Sequence, residues 1–437
     1  MSIKRIINTY STKTKNLVNK GAGHVVLGSF VTKFITFFGS IFLVRFLTKS
    51  EYGVLSYYEN ILGYFSIFSG MGFANGILRY LILVDDIGDK KGCYIMALKK
   101  GNLWNLLLFA LSISFCFLYK HPESFQGYPL VFICLSLCIP LIYTTNLTLS
   151  SFRSLFDYKW YAYLAILTGF LLVFGRVVGA AIGGLNYSVK GRVLAEIICI
   201  VISVAAIYHY HFKGVTINKL EENFSKEFTN YSLQMMLTDG LWAIFMLNDM
   251  FLLGQMTGDE ILIADYKIAY VIPANLSILA SSICVFTAPY FTKKDKEGDT
   301  KWINSKLKET ILVTMAVIGA AVLLCITFCE PIIKLIFGSQ YVSAAPIMNV
   351  LLIASFFNNG IRMAIANFMS AVGEQKKNLI VAGIGIIVQV ILDVILIPML
   401  GAYGVGISSI LVYLIMSTVL MFFVVKRLRR NISVNNK

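Results

Sequence analysis

Ionisable side chains lie deep inside long apolar runs of this sequence. A charge at the centre of such a run costs about 2.5–3.5 kcal/mol on membrane-insertion scales, so each one asks for a reason. The cations are Lys33, Arg176, Lys267 and Arg362, with Arg45 and Arg79 nearer the ends of their runs. A cation held there contacts an anion in a wet cavity, pairs with an acid, or snorkels to the surface. Arg176 sits too centrally to snorkel, so it either faces a cavity or pairs with an acid such as Glu196. Arg362 stands among Asn358, Asn359 and Asn367, a polar cluster that would hydrate a cavity wall or tie helices together. Arg45 and Arg79 read first as interfacial anchors, with Arg79 kept as a weaker site candidate. The acids are Glu59, Asp239, Asp249 and Asp393. Asp249 either neutralises Lys267 across a helix–helix gap or carries a coupling proton or sodium ion. Glu59 is a second charge-balancing candidate.

Other chemistry finds no support. The sequence has no D-x-D, H-E-x-x-H or G-x-x-x-x-G-K-[ST] pattern, and His24, His121, His209 and His211 have no metal-ligand spacing; they read as loop or interfacial residues. Cys134/Cys138 and Cys325/Cys329 are i,i+4 pairs on one helix face, with no third ligand, so the cysteines read as small core residues. No metal, cofactor or catalytic residue is assigned.

The elements that hold these charges are membrane helices. The chain has 437 residues, 57% hydrophobic and 14% charged, against about 25% charged in a soluble domain. Runs of roughly 20 apolar residues follow one another, each long enough to cross the hydrocarbon core. The spans read as 25–47, 53–82, 96–119, 129–151, 161–184, 190–212, 231–254, 263–290, 308–329, 346–370, 379–400 and 404–426. Lys and Arg favour one set of connecting segments by roughly five to one, Lys49, Lys120, Lys190, Arg192 and Lys334 being the exceptions. Both termini are therefore expected in the cytoplasm, and the net charge of +15 is a topology signal rather than one for nucleic acid. No cleavable signal is expected. Ile3, Ile6, Ile7 and Tyr10 fall at helical spacing in the basic first segment, which would lie on an anionic surface or fray.

The halves repeat. Residues 41–61 align without gaps on 250–270, matching Phe42/Phe251, Leu43/Leu252, Thr48/Thr257, Glu51/Glu260 and Tyr57/Tyr266. Further on, Gly184 and Gly401 occupy corresponding loops. Six helices per half makes the repeat parallel, an arrangement that places transporter sites between the halves.

The stretches 43-LVRFLTKSEYG-53, 70-GMGFANGILRY-80, 248-NDMFLLG-254, 265-DYKIAY-270, 336-IFGSQYVSAAPIM-348, 371-AVGEQKK-377 and 397-IPMLGAYGVGIS-408 carry a resemblance. The chain resembles the polysaccharide repeat-unit (O-antigen and capsule) flippases of the multidrug/oligosaccharidyl-lipid/polysaccharide exporter superfamily. The resemblance implies an all-α integral membrane fold of about twelve helices, in two six-helix lobes around a central cavity. Its parts would be a basic cytoplasmic segment 1–24, an N-terminal lobe 25–212, a cytoplasmic linker 213–230, a C-terminal lobe 231–426 and a basic tail 427–437. It implies alternating access that moves undecaprenyl-diphosphate-linked oligosaccharide across the bacterial inner membrane. Partners would be that substrate, membrane lipids, and polymerase and chain-length proteins of the same pathway. It also favours a substrate role for Lys267, since the family often has a cation in this region.

Helices 1–6 hold Lys33, Arg45, Arg79 and Arg176 against Glu59 and Glu196, which suggests a cationic N-terminal lobe for the diphosphate. A drug pump of the same fold would export mostly cations and need buried acids, yet residues 25–47 contain none. A lipid II flippase is closer, but this chain lacks the two additional helices common in that group. A membrane polymerase or ligase would need a long outside loop; the longest here, after the ninth span, has about fifteen residues.

Overall fold

The computed structural model describes residues 22–435, and all regular structure among them is helical. The first basic segment, with Ile3, Ile6, Ile7 and Tyr10, lies outside the described residues. In chain order the helices are α1 (Ala22–Phe46), α2 (Lys49–Ile67), α3 (Phe73–Leu83), α4 (Ile87–Leu118), α5 (Pro129–Ser154), α6 (Tyr158–Ile207), α7 (Glu222–Thr257), α8 (Glu260–Asn275), α9 (Ser277–Lys296), α10 (Thr300–Thr327), α11 (Cys329–Ile336), α12 (Ala345–Ser355), α13 (Met363–Ala371), α14 (Gln375–Leu400) and α15 (Ala402–Asn435). Among the described residues nine helices are long and apolar enough to cross a membrane, or ten when α2 and α3 count as one bent span.

Two sequence-level spans differ in shape. The run 53–82 is not one straight helix: α2 and α3 meet at a 49° bend. Gly70, Met71 and Gly72 all take left-handed backbone there, with φ of 57°, 51° and 74°. Left-handed backbone is open to glycine and costly for Met71, so something must hold it. The Asn105 side chain accepts from the Gly70 N–H at 2.7 Å, and the Trp104 indole donates to the Phe68 carbonyl at 2.8 Å. The Tyr143 ring fills the space where a Gly70 side chain would stand. Hydropathy is continuous across the bend, which is why composition does not reveal it.

The second difference is α6. Fifty residues of helix would run about 75 Å, far beyond a bilayer. The backbone breaks at Gly183 and Gly184, and the chain doubles back, so that Gly175 of the first arm packs against Gly191 of the second. The expected loop 185–189 is therefore helix, and the turn is two glycines. Gly184 (φ 68°, ψ −150°) and Gly401 (φ 56°, ψ −132°) share a conformation essentially reserved for glycine. The two glycines paired by the repeat thus make the same turn. The segment after the ninth span is also more ordered than a loop, since α11 and the turn Ser339–Ala344 fill it.

The chain forms two compact units. The first comprises residues to Thr48, Leu62–Lys120 and Tyr128–Gly240; the second comprises Lys49–Ile61, His121–Gly127 and Leu241 onward. The first unit is centred on Phe73, Ile77, Tyr94, Leu147, Phe152 and Phe228. The second is centred on Phe245, Phe291, Ile365, Phe368, Met369 and Val412.

Within the second unit the repeated segments 49–61 and 250–270 pack together. A Cβ on Gly53 would meet the Glu260 carbonyl oxygen at 1.8 Å, and the Asn60 amide donates to the Leu247 carbonyl at 3.1 Å. Lys49 pairs with Asp265 at 2.7 Å. His121, in the loop after α4, is buried there beside Tyr57 and Tyr58.

Candidate functional site

The first unit contains a cavity of about 470 Å³ between α1, α5 and both arms of α6. Beside it, small residues let α1 approach α6 closely. A Cβ on Gly28 would come within 2.9 Å of Ala162, and one on Gly39 within 2.3 Å of Val173. Thr32 locks this approach, donating to the Gly28 carbonyl at 2.8 Å and the Ala165 carbonyl at 3.1 Å. Lys33 and Thr36 then line the cavity from α1, and Arg176 and Thr168 from the first arm of α6. Asn146 reaches it from α5, and Arg192 from the second arm.

The lining thus carries Lys33, Arg176 and Arg192, with no acid among the lining residues. Glu196 is buried one turn beyond Arg192, with the charges of Arg192 and Arg176 acting on it. Three cations against one recessed carboxylate leave a net positive cavity edged by hydroxyl and amide groups. The lining offers positive charge and hydrogen-bond donors of the kind that suit the oxygens of an anion.

The second unit has a cavity of about 300 Å³. Arg362 enters it from a π-helical stretch at Phe356–Arg362, a wide turn often found at functional positions. Its guanidinium lies 4.7 Å from the Trp242 ring centroid and 5.9 Å from that of Tyr413, and its Nε donates to Asn358 at 2.6 Å. Asp249 also lines it and accepts from the Tyr266 hydroxyl at 3.1 Å, the Ser409 hydroxyl at 3.3 Å and the Gln389 amide. Asp393, fully buried, lies against Asp249, its oxygens making no well-formed hydrogen bond.

The structure thus brings Lys33 and Arg176 into one cavity and Asp249 and Arg362 into another. Lys267, Arg79 and Glu59 line neither. Arg79 is exposed and lies 4.9 Å from the Tyr231 ring centroid, the setting of an anchor. Lys267 and Glu59 are half-buried in the second unit. Asp249 does not use Lys267 as its partner: Tyr266 presents its hydroxyl to the carboxylate, and the next residue on a helix points about 100° away. Asn75 is committed to Asp239 at 2.8 Å. Arg192, Gln389 and Ser409 were missed in the sequence. Arg192, at the start of the expected span 190–212, was counted with the cations of the connecting segments, although the dipeptides Gly175–Arg176 and Gly191–Arg192 are a visible signal. Gln389 and Asp393 stand four apart, on one helix face. No group of three or more His, Cys, Asp and Glu side chains arranged to hold a metal occurs among the described residues.

Comparison with known proteins fits this architecture. The family model for "polysaccharide biosynthesis protein" matches residues 42–346. An uncharacterized membrane protein of Methanocaldococcus jannaschii is 21% identical over 253 residues, 55% of this chain and 49% of that protein; the match spans about half of that relative's length. An inward-facing multidrug resistance MATE family transporter of the MOP superfamily superposes with a TM-score of 0.76 at 13% identity, covering 91% of this chain and 95% of that one. The lipid II flippase MurJ in an inward closed conformation gives 0.71 at 17% identity, covering 93% and 90%. A MOP superfamily transporter from Pyrococcus furiosus, whose binding pocket is described as of reverse polarity, gives 0.60 at 14% identity, covering 95% and 96%. The shared fold is that of the MOP superfamily.

Proposed function

We propose that this chain, which belongs to the polysaccharide biosynthesis protein family, is a flippase and not an enzyme. It carries undecaprenyl-diphosphate-linked oligosaccharide repeat units from the cytoplasmic to the outer leaflet of a bacterial inner membrane by alternating access. O-antigen, capsule or exopolysaccharide synthesis would consume the product, through the polymerase and chain-length proteins of the pathway. Twelve spans fit this reading: the ten counted above, the second arm of α6, and α1. The lobes would be 25–212 and 231–426, with both termini cytoplasmic.

The observation that carries the proposal is the cavity lined by Lys33, Arg176 and Arg192. A diphosphate cannot enter hydrocarbon unpaired, because an isolated ion there costs far more than thermal energy. The cavity offers cations and hydroxyls in place of water. Because the cell interior is negative, moving an anion outward releases about 2.3 kcal/mol per charge per 100 mV, enough for a uniport. The contact between Asp249 and Asp393 supports a coupled variant. Two buried carboxylates side by side repel unless a proton or monovalent cation sits between them. Exchange of that cation would couple transport to an ion gradient.

The test is transport of undecaprenyl-diphosphate-linked sugar in proteoliposomes. Wild-type protein should move it, and Lys33→Ala/Arg176→Ala should not. Unchanged transport by the double variant would remove the cationic-lobe assignment. Export of cationic drugs instead would favour a pump.

A further inference from the structure

Helix α1 carries a single-residue-type row. Phe30, Phe34, Phe38, Phe42 and Phe46 recur every four residues, and all five are exposed. The first three rings of the row touch: Phe30 and Phe34 are stacked at 6.4 Å between centroids and Phe34 and Phe38 lie at 4.5 Å, while Phe37 meets Phe38 edge-on at 5.6 Å. Each four-residue step turns about 40° past a full helical turn, so the five rings form a ribbon that winds partway around α1 over about 24 Å of its length, most of a bilayer's hydrocarbon depth of about 30 Å.

Exposed apolar residues on a membrane helix need no special explanation, since lipid covers them. Two features set this row apart. The exposed faces of other spans are mixed: Leu312, Val313, Val317, Leu323 and Leu324 on α10, Ile380, Ile387, Ile391, Val394 and Met399 on α14, and the pair Phe170 and Phe174 among aliphatic residues on α6. On α1 the row is phenylalanine throughout. The second feature is its neighbour. Lys33, one residue before Phe34, lines the cationic cavity together with Thr32 and Thr36 of the same helix. One helix therefore presents an anion contact and an aromatic track side by side.

We propose that this row is the surface on which the polyprenyl tail of the substrate lies while its diphosphate occupies the Lys33–Arg176–Arg192 cavity. The proposal rests on the flippase reading above. A ligand with an anionic head joined to a long apolar chain must leave the cavity through its lipid-facing side, and the chain then meets whatever lies beside Lys33. Isoprenoid tails carry regularly spaced flat double bonds, which stack on aromatic faces better than saturated acyl chains do. A phenylalanine row therefore discriminates a polyprenyl chain from the surrounding phospholipid, where leucine would treat them alike. Its length lets the tail remain in contact while the head changes depth.

The experiment uses the full chain in nanodiscs of saturated phosphatidylcholine. Labelled inorganic diphosphate is bound, then displaced by unlabelled inorganic diphosphate, by undecaprenyl diphosphate, or by its fully saturated analogue. The wild-type chain should release the label at much lower concentrations of the undecaprenyl form than of either competitor. In Phe30→Leu/Phe34→Leu/Phe38→Leu/Phe42→Leu, which keeps the face apolar, the preference for the undecaprenyl over the saturated form should fall by about fivefold or more, as lost aromatic contacts predict. Label bound by the variant shows that it is folded. An unchanged preference in the variant, or no preference in the wild type, overturns the tail assignment while leaving the flippase reading intact. Failure of the wild-type chain to bind any of the three ligands overturns both.

Discussion

Gly175 and Gly191 meet backbone to backbone across the hairpin of α6: a Cβ on Gly191 would come within 2.1 Å of the Gly175 carbonyl oxygen, and one on Gly175 within 2.5 Å of the Gly191 carbonyl oxygen. Each glycine precedes an arginine, so this contact sets the spacing of Arg176 and Arg192 on the cavity wall. Close glycine contacts are a common way for membrane helices to pack.

Replacing either glycine should force the arms apart. Gly191→Val should lower thermal stability in detergent by about 1–3 kcal/mol, as overpacking does elsewhere. It should also weaken anion binding by separating the two guanidinium groups. Gly383, in the interior of α14, faces open space. Gly383→Ala should be neutral or stabilise by about 0.5–1 kcal/mol, because alanine favours helix. Unfolding curves of the two variants would separate a packing role for glycine from a generic one.

The cations of the first cavity should differ in cost. Lys33 is exposed toward the cavity, so Lys33→Ala should mainly reduce affinity, by about 1.5–3 kcal/mol for a lost hydrogen bond to a charged group. Arg176 and Arg192 also balance the buried Glu196. Removing both leaves the buried Glu196 without the two cationic charges that act on it, a destabilising change. The Arg176→Ala/Arg192→Ala chain should therefore express poorly, and Glu196→Gln should restore its stability without restoring transport. Yield and melting temperature check the first statement; a transport assay checks the second.

If Asp249 and Asp393 exchange a coupling cation, Asp393→Asn should keep substrate binding and abolish the response of transport to a pH or sodium gradient. The potential-driven component should remain. A variant with an unaltered gradient response would leave the pair a structural feature of the second unit.

A fourth prediction concerns pH. Arg427 of α15 bonds both Asp295 oxygens at 2.9 and 2.8 Å and Glu374 at 2.7 Å, tying the end of α9 and the start of α14 to α15. Partial burial alone would raise the Glu374 carboxyl, but its bonds to Lys377 and Arg427 outweigh burial and hold it below the usual carboxylate range. A depressed carboxylate contributes stability that is complete above its unfolded value, about 4.3, and is lost as pH falls through the lower folded value. The melting-temperature gap between wild type and Glu374→Gln should therefore be constant above about pH 5 and close below about pH 4, with a size under about 1 kcal/mol.

Helical membrane architecture was legible in composition, because uninterrupted apolar runs admit few other folds. Hydropathy could not show where a run turns. The reversal at Gly183 and Gly184 and the bend at Gly70–Gly72 depend on backbone conformation and on partners such as Asn105 and Tyr143, distant in sequence. The site followed the same division. Lys33 and Arg176 stood out because a charge inside an apolar run is costly wherever it points. Arg192 did not, since its placement depended on where the hairpin closed. Pairing between helices was the least legible, as Asp249 and its actual partners Tyr266, Gln389 and Ser409 illustrate.

The central claim is the direction and nature of the cargo. Cells deleted for this gene, with the rest of the glycan pathway intact, would be complemented with wild type or with Lys33→Ala/Arg176→Ala. The measurement is the leaflet on which undecaprenyl-diphosphate-linked sugars reside. Deleted cells and cells carrying the double variant should trap complete single repeat units on the cytoplasmic face, and wild type should clear them. Normal glycan in the deleted cells, with only drug sensitivity altered, would contradict the account.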